Sequence, residues 1–224
     1  MRLRTKTEEF RDREQAGRQL AERLARLPAD QLKKTLLLAL PRGGVPIAFE
    51  VAQALKLPLS VLIIRKIGAP KHAEYGIGAV TEEGFYWVDQ DAARLVGASD
   101  QYLQETIELH RAEIDRRLSM FRHGEPLPDL KDRIVILVDD GLATGVTARV
   151  AARFVKTKHP EKVILALPVC ARDTILDLKS EVDDVICLRT PKPFYAVGRY
   201  FKNFHQVSNH EVLQLLSRSK GLIA

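Results

Sequence analysis

Five short stretches that are apolar at almost every position constrain this chain most: "TLLLAL" (35–40), "LSVLII" (59–64), "RIVILV" (133–138), "KVILAL" (162–167) and "DVICL" (184–188). A strand with one wet face alternates polar and apolar residues; these do not, so both faces must be covered. Strands of that kind form a parallel sheet with helices on each side. The intervening segments supply the helices. "VPIAFEVAQAL" (45–55) follows the first run, with Pro46 tolerated in a first turn, and residues 147–157 follow "RIVILV". The expected fold is α/β, an open parallel sheet flanked by helices.

Around that core the periodicity is helical or hairpin-like. Phe10, Leu20, Leu24 and Leu27 space an amphipathic helix over residues 8–27, ended by Pro28. "GIGAVTEEGFYWVD" (76–89) reads as a β-hairpin turning at Glu83-Gly84. A long helix runs from Ser99 to about Arg122, its apolar face marked by Leu103, Ile107, Ile114, Leu118 and Phe121. His110 shares that face and reads as a boundary histidine with one nitrogen satisfied. Ser208 and Glu211 stand in capping-box spacing at the start of a C-terminal helix. No repeat or linker divides the 224 residues, so a single domain over 1–224 is expected.

Several function classes are disfavoured. "MRLRTKTEEF" has no apolar signal region, and no apolar run approaches the ~18 residues of a membrane span, which points to the cytoplasm. Cys170 and Cys187 are too few for a disulfide framework or zinc site, and both read as packed thiols. The net charge of +6 draws much of its excess from residues 2–34, where acids are interleaved. A solvated helix face explains that pattern without nucleic acid.

The stretch "VILVDDGLATGVTA" (135–148) carries the chemistry. An open parallel sheet binds ligands beyond the carboxyl ends of its strands, and Asp139 and Asp140 follow such an end directly. Gly141, Ala143 and Gly145 let backbone amides approach a ligand, Thr144 and Thr147 add hydroxyls, and the loop runs into a helix N-terminus. That combination favours a phosphate. Two carboxylates repel a phosphate, so they must address another part of the same ligand, either vicinal sugar hydroxyls or a bound Mg²⁺. A ribose 5-phosphate unit satisfies both halves. No P-loop, dinucleotide fingerprint, zinc motif or G-x-S-x-G is present.

"VILVDDGLATGVT" resembles the signature of type I phosphoribosyltransferases, with Ala143 where many members carry a hydroxyl residue. The arrangement "LPRGG", "IRKIGAPKHAEYGIGAV", "VDDGLATG" is further similar to a subgroup described only as predicted phosphoribosyltransferases. The resemblance implies a core over about 30–190 and a small hood from about 189–224 together with the N-terminal helix. It implies Mg²⁺-dependent transfer of phosphoribosyl from 5-phosphoribosyl 1-diphosphate to a nitrogen acceptor, a nucleobase or related heterocycle. Asp139 and Asp140 would meet the ribose, and the metal indirectly, while Gly141, Ala143, Thr144, Gly145 and Thr147 hold the 5-phosphate.

By the same resemblance, the loop "PRGG" binds diphosphate through Arg42, Gly43 and Gly44, with a non-proline cis peptide expected at Arg42-Gly43. "RKIGAPKHAEYG" corresponds to a mobile catalytic loop in which Arg65 and Lys66 contact diphosphate, and Lys71, His72 and Glu74 act on closure. Lys71, Asp139 and Asp140 are the candidate catalytic residues, Asp140 also being a possible general base. In the hood, Phe194 or Tyr195 would stack on the base, and Tyr200, Phe201 and Phe204 would pack it onto the core. A homodimer is expected. The alternative is a regulator of the same fold that senses the ribosyl diphosphate and binds nucleic acid without turnover.

Overall fold

The computed structural model describes residues 9–222. In chain order it contains α1 (Arg13–Leu24), α2 (Ala29–Lys33), β1 (Thr35–Ala39), α3 (Gly44–Leu55), β2 (Leu59–Val61), β3 (Ile64–Ala69), β4 (His72–Thr81) and β5 (Tyr86–Val88). It continues with α4 (Gln90–Leu95), α5 (Asp100–Arg122), β6 (Ile134–Val138), α6 (Val146–Lys156), β7 (Lys162–Val169), α7 (Arg172–Leu178), β8 (Asp184–Arg189) and α8 (Asn209–Lys220).

The apolar runs build a five-stranded parallel sheet in the order β2-β1-β6-β7-β8. Alternation divides its side chains between two cores. Leu37, Ala39, Ile136 and Val138 pack with α1, α3 and α8, and Leu36, Leu38, Val135 and Leu137 with α6 and Leu178. Each apolar side chain removed from water in this way contributes about 1.5–3 kcal/mol as an upper estimate. The chain winds one way from β1 to β2 and the other way from β6 through β8. The β1/β6 boundary is therefore the switch point at which the following loops diverge and leave a crevice.

Three expectations are corrected. The run "LSVLII" divides: only Leu59–Val61 joins the sheet, and Ile64 already begins β3 of a separate antiparallel sheet, β3-β4-β5. The break is held at Ile63, whose amide donates to Glu82 Oε1 at 3.2 Å and whose carbonyl accepts from Thr81 Oγ1 at 2.9 Å. The N-terminal helix starts at Arg13, not residue 8, which lies outside the described residues; Asp12 caps it by accepting from the Gln15 amide at 2.7 Å. Phe10 is not helical but pairs with Phe201, the Phe10 amide donating to Tyr200 O at 2.8 Å and the Lys202 amide to Phe10 O at 2.8 Å. Finally, "DVICL" is an edge strand, half-buried and exposed at Asp184.

The hairpin expected over residues 76–89 forms as β4-β5, turning through residues 82–84. The buried pair Glu82–Arg122, at 2.5 Å, ties that turn to the end of α5. His110 meets its expectation of one engaged nitrogen, Nε2 lying 3.0 Å from Lys66 O. Among the described residues no helix is long and apolar enough to cross a membrane.

Candidate active site

The loops after β1 and β6 meet at the switch point, and their contact explains the glycines of "PRGG". A β-carbon on Gly43 would stand 2.0 Å from Asp140 Oδ2, and one on Gly44 would stand 2.3 Å from Val138 O. Both glycines are thus required by close approach, while Gly43 itself has ordinary right-handed dihedrals. A non-proline cis peptide is present in this loop, one bond earlier than expected, at Pro41-Arg42. The Arg42 guanidinium is partly exposed, lines the adjoining cavity and has no hydrogen bond or ion pair among the described residues.

The acids leave β6 side by side. Asp139 Oδ1 accepts the Asp140 amide at 2.8 Å. Burial, reinforced by the charge of Asp140, holds the Asp139 carboxyl well above the ordinary carboxylate range. Burial also raises Asp140, against the opposing pull of a cation that sequence reasoning did not bring here, Arg13. Arg13 is 7 % exposed, and its Nε and Nη2 both donate to Asp140 Oδ2, at 3.0 and 2.8 Å. Its Nη1 donates to His205 O at 2.8 Å, and its guanidinium lies 3.9 Å from the centre of the Phe204 ring.

The loop that follows is an extension of the sheet. Leu142 bridges to Cys170, its amide donating to Val169 O at 3.1 Å, and Gly141 packs against Val169 and Val197. Thr174 of α7 donates its hydroxyl to Ala143 O at 2.5 Å. Gly145, at φ 72°, takes a left-handed conformation and caps α6 without any side-chain hydrogen bond. The first amides of α6 therefore face the loop unpaired, a site for an oxyanion. Thr144 is exposed and Thr147 half-buried, and neither hydroxyl has a partner among the described residues.

The segment expected to be a mobile loop is two paired strands, β3 and β4, joined by a turn at Pro70-Lys71. Its scarcity of apolar residues reflects a hairpin end that nothing covers: residues 70–75 are all exposed. Strand alternation sends Arg65 and Lys66 to opposite faces. Lys66 lies on the α6 side near Gly76 and Val146, its Nζ donating to Glu74 O at 2.8 Å. Arg65 lies on the α5 side beside Arg117 and Glu113, so the structure does not bring the two cations together. Lys71, His72 and Glu74 lie at or near the exposed end.

The hood aromatics are also redistributed. A cavity of about 450 Å³ opens between Arg13, Arg42, Gly43 and Asp140 on one side and Val197 and residues 204–207 on the other. Phe204 lines it. Phe194 instead packs on Tyr200 with ring centres 5.2 Å apart, and Tyr195 is 66 % exposed with the Arg199 guanidinium over its ring. Neither Phe194 nor Tyr195, the rings expected against a base, lines this cavity. A single-chain pattern of aromatics could not distinguish which ring faces inward. Tyr200 and Phe201 do pack the hood against Phe10. Cys170 is buried and its thiol is pushed up to about 12 by burial, which leaves it unreactive.

No group of three or more His, Cys, Asp or Glu among the described residues stands together as a metal site. The donor set nevertheless fits a hard cation held partly through ligand oxygens: two adjacent carboxylates, with no hydrogen bond from another described residue on Asp139 Oδ2 or Asp140 Oδ1.

Comparison with known proteins gives a consistent result. The family model described as a phosphoribosyl transferase domain matches residues 6–197. The chain is 41% identical over 210 residues to a Mycobacterium tuberculosis H37Rv protein named "Putative phosphoribosyl transferase Rv0571c", covering 94% of this chain and 47% of that protein. It therefore spans about half the length of the curated relatives it matches. Among solved structures, TT1426 from Thermus thermophilus superposes with a TM-score of 0.78 at 38% identity, covering 94% of this chain and 98% of that one. AQ2163 from Aquifex aeolicus shares the fold at 13% identity, with a TM-score of 0.51 over 80% of this chain and 74% of the other.

Proposed function

The chain belongs to the phosphoribosyl transferase domain family, and from that membership we propose that it transfers phosphoribosyl from 5-phosphoribosyl 1-diphosphate to a nitrogen acceptor, a nucleobase or related heterocycle, releasing diphosphate. One observation carries the reading: at the switch point the Arg42 loop packs against Asp140 beside one cavity, and the acid pair leads within five residues to the uncapped N-terminus of α6. Each addresses a different part of the donor. The amides of residues 144–148 suit the 5-phosphate, Asp139 and Asp140 the ribose hydroxyls, and Arg42 with the loop backbone the diphosphate.

Transfer breaks the C1–oxygen bond to diphosphate as the acceptor nitrogen bonds to C1, with positive charge growing on the sugar ring between the two events. The acid pair opposes that charge, and Arg42 offsets charge collecting on the leaving group. Mg²⁺, when bound beside Asp139 and Asp140 through ligand oxygens and water, would supply further neutralisation of the diphosphate. Lys66 stands on the α6 face and Lys71 at the hairpin end, where closure over the crevice would exclude water. Phe204, Val197 and Val207 offer a flat apolar wall for the acceptor.

The test is a screen of purine, pyrimidine and other nitrogen heterocycles with 5-phosphoribosyl 1-diphosphate and Mg²⁺, reading diphosphate release. Release that depends on one heterocycle and on Asp139 supports the reading. Binding of the donor without release under any acceptor favours a sensor.

A further inference from the structure

We propose that Arg13 is a positioning residue for the ribose-binding acid: it fixes Asp140 through one carboxylate oxygen so that the other faces the donor, and it fastens the hood to that acid. The inference rests on the phosphoribosyl reading of Asp140, and goes beyond it by assigning a role to a residue 127 positions away.

The hydrogen-bond pattern carries the argument. Two structural arginine–carboxylate pairs in this protein are fork to fork. Arg153 gives Nε to Glu181 Oε2 at 2.9 Å and Nη2 to Oε1 at 2.6 Å, and Arg116 gives Nε to Glu113 Oε2 at 2.8 Å and Nη2 to Oε1 at 3.0 Å. Both oxygens are consumed in each case, as that geometry favours. Arg13 instead directs Nε and Nη2 onto Asp140 Oδ2 alone. The same oxygen is the one nearest Gly43, where even a methyl group cannot fit. Oδ2 is thus enclosed, and Oδ1 accepts no hydrogen bond from another described residue. That asymmetry leaves Oδ1 as the oxygen through which Asp140 can meet a ligand.

The rest of the Arg13 side chain reaches the hood. Nη1 bonds His205 O, and the guanidinium lies against Phe204, the ring that lines the cavity. One buried side chain on the first turn of α1 thereby joins the sugar end of the crevice to its acceptor end. The placement is over-determined: Asp12 caps α1 beside it, and the Asn203 amide donates to Arg11 O at 2.9 Å, pairing the two terminal segments across Arg13.

The experiment compares wild type, Arg13→Lys, Arg13→Gln, Asp140→Asn and the double variant Arg13→Gln/Asp140→Asn. Calorimetry would measure binding of inorganic phosphate and ribose 5-phosphate, and hydrogen exchange would follow residues 203–207. Arg13→Gln is expected to weaken ribose 5-phosphate by about tenfold or more while inorganic phosphate changes less than about threefold. Arg13→Lys, which keeps the cation and protects against a folding defect, should recover part of the ribose loss but not the hood protection. In the Asp140→Asn background Arg13→Gln should add no further loss in ribose affinity. Equal losses for both ligands, or additive losses in the double variant, would overturn the positioning role while leaving the phosphoribosyl reading intact. Wild-type protein that binds phosphate but shows no gain from the ribose would overturn that reading, and this inference with it.

Discussion

Gly43 approaches Asp140 so closely that the loop after β1 and the acid after β6 form one packed unit, a β-carbon on the glycine falling 2.0 Å from Oδ2. The loop after β1 and Asp140 therefore cannot move independently. Gly43→Ala should displace the carboxylate from Arg13 and cost about 1–3 kcal/mol in overpacking. Turnover is expected to fall far more than thermal stability alone would explain. A Gly43→Ala protein with unaltered turnover would show that the two loops are not coupled.

Stability should fall as pH rises through the titration of Asp139. Its folded carboxyl titrates above the ordinary aspartate value of 3.8, so the fold favours the protonated form. That contribution is complete below the ordinary value and is lost as pH climbs through the raised one. Asp139→Asn, which mimics the protonated acid, should therefore unfold at a higher temperature than wild type at neutral pH, with the advantage shrinking toward pH 4. The pair titrates together, so the profile belongs to Asp139 and Asp140 jointly. A constant difference between the two proteins from pH 4 to pH 8 would contradict the assignment.

The hairpin end separates an enzyme from a sensor. Lys71 is exposed at the turn between β3 and β4, so on the proposed reading its catalytic contact would arise on closure of the hairpin. Lys71→Ala should lower kcat about tenfold, ~1.4 kcal/mol, with little change in donor affinity. Arg42→Ala should damage both, because its loop already borders the crevice. Binding that survives both changes, with no turnover in any variant, would instead support a regulator, and salt-dependent association with RNA or DNA would strengthen that view.

A stability prediction concerns the buried pair Glu82–Arg122. Both side chains are below a tenth exposed, and Arg122 Nη2 donates to Glu82 Oε2 at 2.5 Å. Arg122→Ala strands a carboxylate that also receives the Ile63 amide, and should cost about 3–5 kcal/mol in denaturant unfolding. Arg94→Ala, which breaks an exposed pair with Asp91, should change stability by less than about 1 kcal/mol. Equal effects would mean that the buried pair does not anchor the hairpin to α5.

What the sequence determined by itself was whatever depends on neighbours along the chain. Uninterrupted apolar runs dictate a covered parallel sheet, and "DDGLATGVT" carries its own acids, glycines and helix start within nine residues, so the sheet and the acid-to-helix loop after β6 were legible together. The opposite placement of Arg65 and Lys66 was also legible in principle, since adjacent strand residues must face apart once the segment is seen as a strand and not a loop. Tertiary structure alone decided the rest. Arg13 reaches Asp140 across 127 positions, because residues 10 and 11 pair with 200–203 and α1 packs beside α3, β7 and β8. Phe204 is the ring that lines the cavity, held against Arg13, while Phe194 packs on Tyr200 and Tyr195 lies against Arg199. Local spacing records which residues share a helix face or a strand face. Which distant side chain fills a cavity depends on how packed elements meet, and that is a property of the assembled core.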